Sequence, residues 1–529
     1  MLASLLSATL HGLDGRLVRV EVDVAPGLPG FTIVGLADTA LQEARERVRG
    51  AIRNSGYEYP PRRITVNLAP ADLRKGGASL DLAIALGILV GSDQVKANGR
   101  WAVLGELSLG GELRPVPGLL PMVASLARRR VRRVIVAAEG AAEASLADGV
   151  EVMPAATLAD AAALIRSTRG GRARTMPPRV ELADSVRIEE DDAMGREAGH
   201  GQGSAEGGGC PDLAEVRGQL EARRALEVAL AGGHCLLMIG PPGSGKTLLA
   251  RTIPGLLPPL DDEESRVATI IASVAGTSPV RGLVRLRPFR SPHHTISYAA
   301  MVGGGPHISP GEVTLAHDGI LFLDELPEFD RGALEALRQP LEDGQISIAR
   351  VGRAAVFPSR FQLVAAMNPC PCGHAGEGDG RCRCQPAIVD RYAGRVSGPL
   401  RDRIDLSIAM PRVAPAALLA DAAAEGSAEV AARVGAARSI AMERQAGRLN
   451  GRLRGDDLRR VAQLTPATRR HLVALADLER ASGRGTERLL RVARTIADLA
   501  GLEAVAMDHL DESAWYRSSD HRAASARAV

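Results

Sequence analysis

The segment Gly240-Pro241-Pro242-Gly243-Ser244-Gly245-Lys246-Thr247 has the form G-x-x-x-x-G-K-[ST], with an apolar run at 235–239 before it and a helical pattern after it. Its chemistry is phosphate binding. The glycines let backbone N–H groups turn toward the phosphates of ATP, Lys246 brings a mobile cation to the β and γ phosphates, and Thr247 offers a hydroxyl to Mg2+. A second apolar run, 319–323, ends in Asp324 and Glu325. Buried strands seldom end in adjacent carboxylates for packing reasons, so Asp324 is expected to hold the Mg2+ shell and Glu325 to orient and activate the attacking water. A third run, 361–367, ends at Asn368, placed where it could meet the γ-phosphate or the water. Together these residues predict hydrolysis of ATP and not binding alone.

Two groups of arginines follow. Arg401 and Arg403 lie in GPLRDRIDL, and an arginine at that place can reach the γ-phosphate of a neighbouring subunit, where a fixed guanidinium stabilises transition-state charge. Arg403 is the expected finger and Arg401 the alternative; action in trans requires an oligomer. In SGRGTERLLRVAR, Arg484 fits a return to the nucleotide as a lid closes, with Arg488 one turn later as runner-up. A further cluster has metal-ligand character. Cys370 and Cys372, then Cys382 and Cys384 after nine intervening residues, supply four soft ligands with His374 nearby, which suits structural tetrahedral Zn2+ in a reducing compartment. The C-x-C spacing is less diagnostic than C-x-x-C, and the glycine-rich insert equally fits a flexible loop.

These groups need a scaffold of more than one core, and 529 residues with 45% hydrophobic side chains provide one. No apolar run reaches membrane-spanning length, the N-terminal stretch lacks a basic flank, and six cysteines form no secreted framework, so a cytoplasmic protein with no membrane partner is expected. A net charge of +3, from 65 basic and 62 acidic residues, does not announce nucleic-acid binding. Aromatic content of 2% argues against stacking of single bases, leaving backbone tracking at a local site. The run RRRVRR at 128–133 reads as a solvated helix end more readily than as a DNA patch. Short β-rich runs alternate with helical patterns before residue 168, and the periodicity vanishes between 169 and 210.

The stretches PGLPGFTIVGLAD, RKGGASLDLAIALGIL, FRSPHHTISYAAMVGGG, GILFLDELPEFDR, AAMNPCPCG and RVARTIADLAG, taken jointly, resemble the ComM (YifB) group of magnesium-chelatase-like AAA+ ATPases. The resemblance covers nearly the whole chain. It implies an α/β fold with a Lon-protease-like domain (ribosomal S5 domain 2-like) at 1–168, a P-loop AAA+ core with a parallel sheet at 211–412 and a helical lid at 413–512, while composition alone marks a flexible linker at 169–210 and a disordered tail at 513–529. It also implies a hexameric ring, a DNA motor driving branch migration while incoming DNA is integrated by recombination, and work beside recombination proteins. Asn368 then stands at sensor 1, and Arg484 at sensor 2.

In this branch a β-hairpin precedes sensor 1, and alternating residues either side of Val351-Gly352 support it, with Arg350 and Arg353 at the tip as candidates for gripping DNA phosphates. His293 and His294 fall in a family stretch without assignable chemistry and are expected to be structural. Through GELSLGGELRPV the first domain is similar to the Lon-type domain; Ser79 takes the serine place, but Leu120 stands where the activating lysine belongs, so no protease is expected. A chelatase-like or protein-remodelling motor working on a partner protein is the alternative function.

Overall fold

In a computed structural model of the chain, residues 1–35, 39–71, 73, 75, 77–166, 210–305, 308–350, 353–378, 380–414 and 424–525 are described. The expected linker at 169–210 lies outside them except for Cys210, as do the hairpin tip at 351–352, the first residues of the expected lid at 415–423 and the final residues 526–529.

Alternation builds the first sheet. In β2 (Asp14–Ala25) Val18, Val20, Val22 and Val24 share one face and are fully buried, while in β1 (Leu2–His11) Leu5 joins that face and Leu6 and Ala8 turn to the other. With β3 (Gly30–Val34), β4 (Arg63–Ala69), β5 (Ala102–Leu104), β6 (Arg133–Ala137) and β7 (Glu151–Ala155) they form a mixed sheet in the order β3-β4-β2-β1-β5-β6-β7. Helices α1 (Thr39–Asn54), α2 (Asp81–Gly91) and α4 (Leu158–Arg166) cover one face and α3 (Leu119–Arg128) the other. Helix α2 is apolar all round because it is enclosed all round. Its one carboxylate, Asp81, is pushed up to about 6 by burial, against the pull of Arg47 Nε at 2.7 Å. Arg128 to Arg130 are exposed, as a solvated helix end should be.

The second sheet is parallel. Its strands β8 (Leu236–Ile239), β9 (Phe289–Arg290), β10 (Ile320–Leu323), β13 (Gln362–Met367) and β14 (Leu406–Ala409) lie in the order β9-β10-β13-β8-β14. Strands β8, β10 and β13 are buried at every position, which explains their continuous apolar runs. Around them stand α5 (Leu220–Gly232), α6 (Lys246–Arg251), α7 (Asp262–Ala275) and α8 (Arg338–Asp343). The hairpin β11 (Gln345–Arg350) and β12 (Arg353–Pro358) projects from α8, with Arg350 paired to Arg353 at its far end. Ile346, Ile348, Ala355 and Phe357 turn inward and Val356 outward.

A helical bundle follows: α9 (Ser427–Arg444), α10 (Gly455–Ala462), α11 (Pro466–Leu478), α12 (Gly483–Leu499) and α13 (Met507–Ser525). The last corrects an expectation. The tail from 513 was expected to be disordered, yet α13 runs to Ser525, and Ser513, Ala514 and Tyr516 are buried. Glu512 beside them pairs with Arg224 of α5 at 2.9 Å. Most of a helix's stability in a protein comes from packing its apolar face on the rest of the fold and not from propensity, so a polar tail can still be helical. Among the described residues no helix is long and apolar enough to cross a membrane.

The two sheets are joined by direct contacts. The Gly118 N–H donates to the Ser273 carbonyl of α7 at 2.8 Å, and the Ser273 hydroxyl donates to Glu143 at 2.6 Å. Leu120 buries its side chain and donates its backbone N–H to the same Glu143 at 2.9 Å. Ser79 is buried and donates to the Ala8 carbonyl at 3.3 Å. At the other end of this interface Leu13 packs against the cluster that carries the hairpin.

Candidate functional site

Strands β10, β13 and β8 are neighbours running the same way, so the residues following each one emerge side by side at a single sheet edge. Asp324 and Glu325 follow β10, Asn368 follows β13, and Gly240 follows β8. The loop leaving β8 requires its glycines. A Cβ on Gly240 would lie 2.2 Å from the Met410 carbonyl oxygen, and Gly243 and Gly245 adopt φ of 76° and 93°. Pro241, Pro242 and Ser244 complete the turn, and Lys246 opens α6.

Lys246 is 8% exposed and donates to the carbonyls of Gly240 at 2.7 Å and Pro241 at 2.9 Å, with Asn368 Oδ1 at 3.3 Å. Burial lowers its pKa, and Asp324 and Glu325 oppose that. The Thr247 hydroxyl donates to Asp324 Oδ2 at 2.6 Å. A hydroxyl and a carboxylate this close offer two adjacent hard oxygen ligands, the donor set a small divalent cation takes beside a polyphosphate. Lys246, Thr247, Asp324 and Asn368 are therefore brought together as their spacing predicts.

Glu325 projects differently. Its backbone is left-handed at φ 53°, a conformation costing about 1–3 kcal/mol in a non-glycine residue, and its side chain is half exposed. The residue that faces it is one the sequence left without a role: His294 Nδ1 lies 3.4 Å from Glu325 Oε2. The His294 ring lies against that of His293, with centroids 4.1 Å apart and planes tilted by 33°, and meets Phe329 edge-on at 6.4 Å. The signal that could have found it is adjacency in space. Strand β9 ends three residues before His293 and pairs with β10, so the segment after β9 runs beside the segment after β10.

The arginines are not at the loop. Arg403 pairs with Glu342 near the end of α8 and donates to the Pro399 carbonyl at 2.7 Å, and Arg401 donates to the Ala393 carbonyl at 2.7 Å. Arg484 is 72% exposed and reaches the same Glu342 at 3.5 Å. Arg403 and Arg484 thus share one carboxylate, Glu342. The start of α12 packs by the segment that carries Arg403, since Arg488 donates to the Asp402 and Ile404 carbonyls. Arg488 is 9% exposed and faces inward.

The four cysteines do converge. Cys370 Sγ lies 3.3 Å from Cys372 Sγ and 3.8 Å from Cys382 Sγ, Cys372 and Cys382 are 3.7 Å apart, and with Cys384 all four sulfurs fall within 4.8 Å of one another. Four thiolates around one tetrahedral ion at ~2.3 Å stand about 3.8 Å apart. The His374 backbone N–H, donating to Cys372, holds that thiol down to about 6, while at Cys384 the Cys372 backbone N–H pulls down but the Cys372 thiol, burial and the Cys370 thiol outweigh it and push the group up to about 11. His374 is paired with Glu377 at 2.8 Å and stands outside the cluster. The loop also touches the phosphate loop, since a Cβ on Gly373 would lie 2.5 Å from Pro242 Cδ.

Comparison with known proteins covers the whole arrangement. Residues 20–140 match the family described as subunit ChlI of Mg-chelatase, residues 212–418 that described as magnesium chelatase, subunit ChlI, and residues 424–517 its subunit ChlI C-terminal family. The chain is 43% identical over 511 residues to the uncharacterized protein YifB of Escherichia coli, covering 96% of each. It is 41% identical over 520 residues to the competence protein ComM of Haemophilus influenzae, covering 98% of this chain and 97% of that one. A shorter similarity, 26% identity over 147 residues, joins 26% of the chain to 18% of Lon protease 1 of Hydrogenovibrio crunogenus.

Proposed function

The chain belongs to the ComM (YifB) family of magnesium-chelatase-like proteins, and from that premise we propose that it is an ATP-hydrolysing ring motor that moves branched DNA during recombination, with the uptake and integration of incoming DNA as its setting. The observation that carries the ATPase reading is the convergence of Lys246, Thr247, Asp324, Glu325 and Asn368 at one edge of a parallel sheet.

Each residue then has a task. Lys246 exchanges the Gly240 and Pro241 carbonyls for oxygens of the β and γ phosphates. Glu325 takes a proton from water as the water oxygen bonds to the γ-phosphorus and the bond to the bridging oxygen breaks, leaving ADP and phosphate. Asn368 orients the water or the γ-phosphate. Mg2+ held by Thr247 and Asp324 would supply charge neutralisation of the phosphates when bound. Arg403, and Arg484 beside it, leave Glu342 for the nucleotide of the adjoining subunit, which makes the assembled ring, a hexamer in this reading, the active form. The N-terminal domain, a Lon-like fold without the serine-lysine pair, serves as a brace on α7 and the hairpin root.

The DNA reading rests on the hairpin and on the likeness to the Haemophilus competence protein ComM. Arg350 and Arg353 close the hairpin ladder, where guanidiniums would grip backbone phosphates without regard to sequence. The experiment compares wild type with Arg350→Ala/Arg353→Ala on a branched DNA at low and moderate salt. Branched DNA should raise ATP turnover in wild type, and the variant should hydrolyse ATP at the unstimulated rate without moving strands. Branched DNA that leaves wild-type turnover unchanged at low salt removes DNA as the substrate and returns the protein to the alternative, a motor acting on a partner protein.

The cysteine cluster is assigned to structural Zn2+, clipping the loop after Asn368 against the phosphate loop. Protein purified without added metal should carry about one zinc per chain. Cys370→Ser and Cys372→Ser should each lose it and raise KM for ATP, because the support of Pro242 is withdrawn. Metal content unchanged by both substitutions sinks the assignment.

A further inference from the structure

Arg488 brackets Arg403. Its Nη2 donates to the Asp402 carbonyl at 2.8 Å and its Nη1 to the Ile404 carbonyl at 2.9 Å, so the carbonyls of the two residues flanking Arg403 are tied to one guanidinium. One turn along α12, Arg491 Nη2 donates to Asp405 Oδ1 at 3.1 Å and Nη1 to the Leu453 carbonyl at 3.3 Å. Asp405 is held from the far side as well, accepting from the Cys235 N–H at 3.2 Å, with His234 Nδ1 at 3.5 Å. Burial pushes the Asp405 carboxyl up, but His234 and Arg491 overcome it and hold it well below the ordinary carboxylate range, so it is an anion at every physiological pH.

These contacts are costly to arrange without a purpose. Arg488 is almost fully buried, burial lowers its pKa, and its closest acid, Asp402, is 3.9 Å away, so its two strong bonds are spent on backbone carbonyls. A planar fork can reach two carbonyls separated along a chain at once; a lysine ammonium at the same place is a point donor. Helix α12 belongs to the bundle, and His234 and Cys235 lead directly into β8, the strand that precedes the phosphate loop.

We infer that Arg488 and Arg491 are positioning residues that set Arg403 toward the adjoining subunit, so that the bundle of one subunit controls hydrolysis in the next. The inference rests on the reading of Arg403 as the arginine that acts across the subunit interface. It places the control of turnover in trans: a subunit whose Arg488 is lost keeps its own nucleotide site intact and disables its neighbour's.

Mixing full-length variants tests this. Arg488→Ala alone should lower kcat about 100-fold, the scale of a 1 Å displacement of a catalytic group, with binding of a non-hydrolysable ATP analogue unchanged. Arg488→Lys keeps the buried stem and the charge and should fall in the same direction, which covers the case in which the alanine variant does not fold. Either variant mixed with Glu325→Gln subunits should regain turnover above both parents, because its intact site then meets an intact Arg403. Arg403→Ala mixed with Glu325→Gln is the control.

If the control regains turnover and the Arg488 mixtures do not, Arg488 acts within its own subunit and the inference is overturned. Analogue binding that weakens in parallel with kcat overturns it likewise. If the control itself shows no regain, the reading of Arg403 fails, and if wild type does not hydrolyse ATP, the proposed activity fails.

Discussion

Replacing Glu325 by glutamine is expected to lower ATP turnover by about 10²–10⁴-fold, the usual worth of a general base, while ATP still binds. The substitution keeps size and hydrogen-bonding reach and removes only basicity. In the proposed mechanism nucleotide is held elsewhere, at Lys246 and at the Thr247 and Asp324 pair, so the loss should fall on kcat with KM little changed. Glu325 can accept a proton because it is half exposed, with no arginine or lysine paired to it among the described contacts; His294 is its side-chain neighbour at 3.4 Å. Single-turnover measurement with trapped nucleotide reads the step directly. Turnover within tenfold of wild type would remove Glu325 from the role of base and pass it to another group at the same sheet edge.

Arg403→Ala is expected to cost about 10³–10⁵-fold in turnover, the range for loss of an arginine that stabilises phosphoryl-transfer charge from a neighbouring chain. The side chain is 15% exposed and rests on Glu342, itself a third exposed, and on the Pro399 carbonyl. A phosphate oxygen with a full negative charge competes well with a partly solvated carboxylate. The wild-type rate per subunit should therefore rise with protein concentration until the ring is complete, and the Arg403→Ala rate should stay flat. A wild-type rate that is independent of concentration down to dissociated chains, together with a mild Arg403→Ala effect, would mean that Arg403 serves only its pair with Glu342.

Much of the nucleotide site was legible because its signal is local. A loop that must turn backbone N–H groups toward phosphate requires glycines at Gly240, Gly243 and Gly245, and strands covered on both faces must be apolar throughout, so β8, β10 and β13 announce themselves and point to the residues at their ends. The four cysteines are equally local, lying within one loop whose closure brings the sulfurs within 4.8 Å. The tail was misread for the opposite reason. Its composition after Trp515 is that of solvated chain, and its order comes from the burial of Tyr516 and the Glu512 to Arg224 pair, supplied by a helix nearly three hundred positions earlier.

What the linear order determined, then, is that Lys246, Thr247 and Asp324 stand together as a set suited to a polyphosphate and that a carboxylate, Glu325, lies beside them: each of these is set by spacing within one turn or at one strand end. Only the tertiary structure decided that His294 faces Glu325, that Arg484 shares Glu342 with Arg403, and that Arg488 grips the carbonyls of the residues flanking Arg403. Those pairings depend on which strand neighbours which and on which face of α12 meets the core. A guanidinium or imidazole is polar in any setting, so its residue type does not reveal the partner; packing of the apolar surfaces selects the partner, and the polar contacts follow.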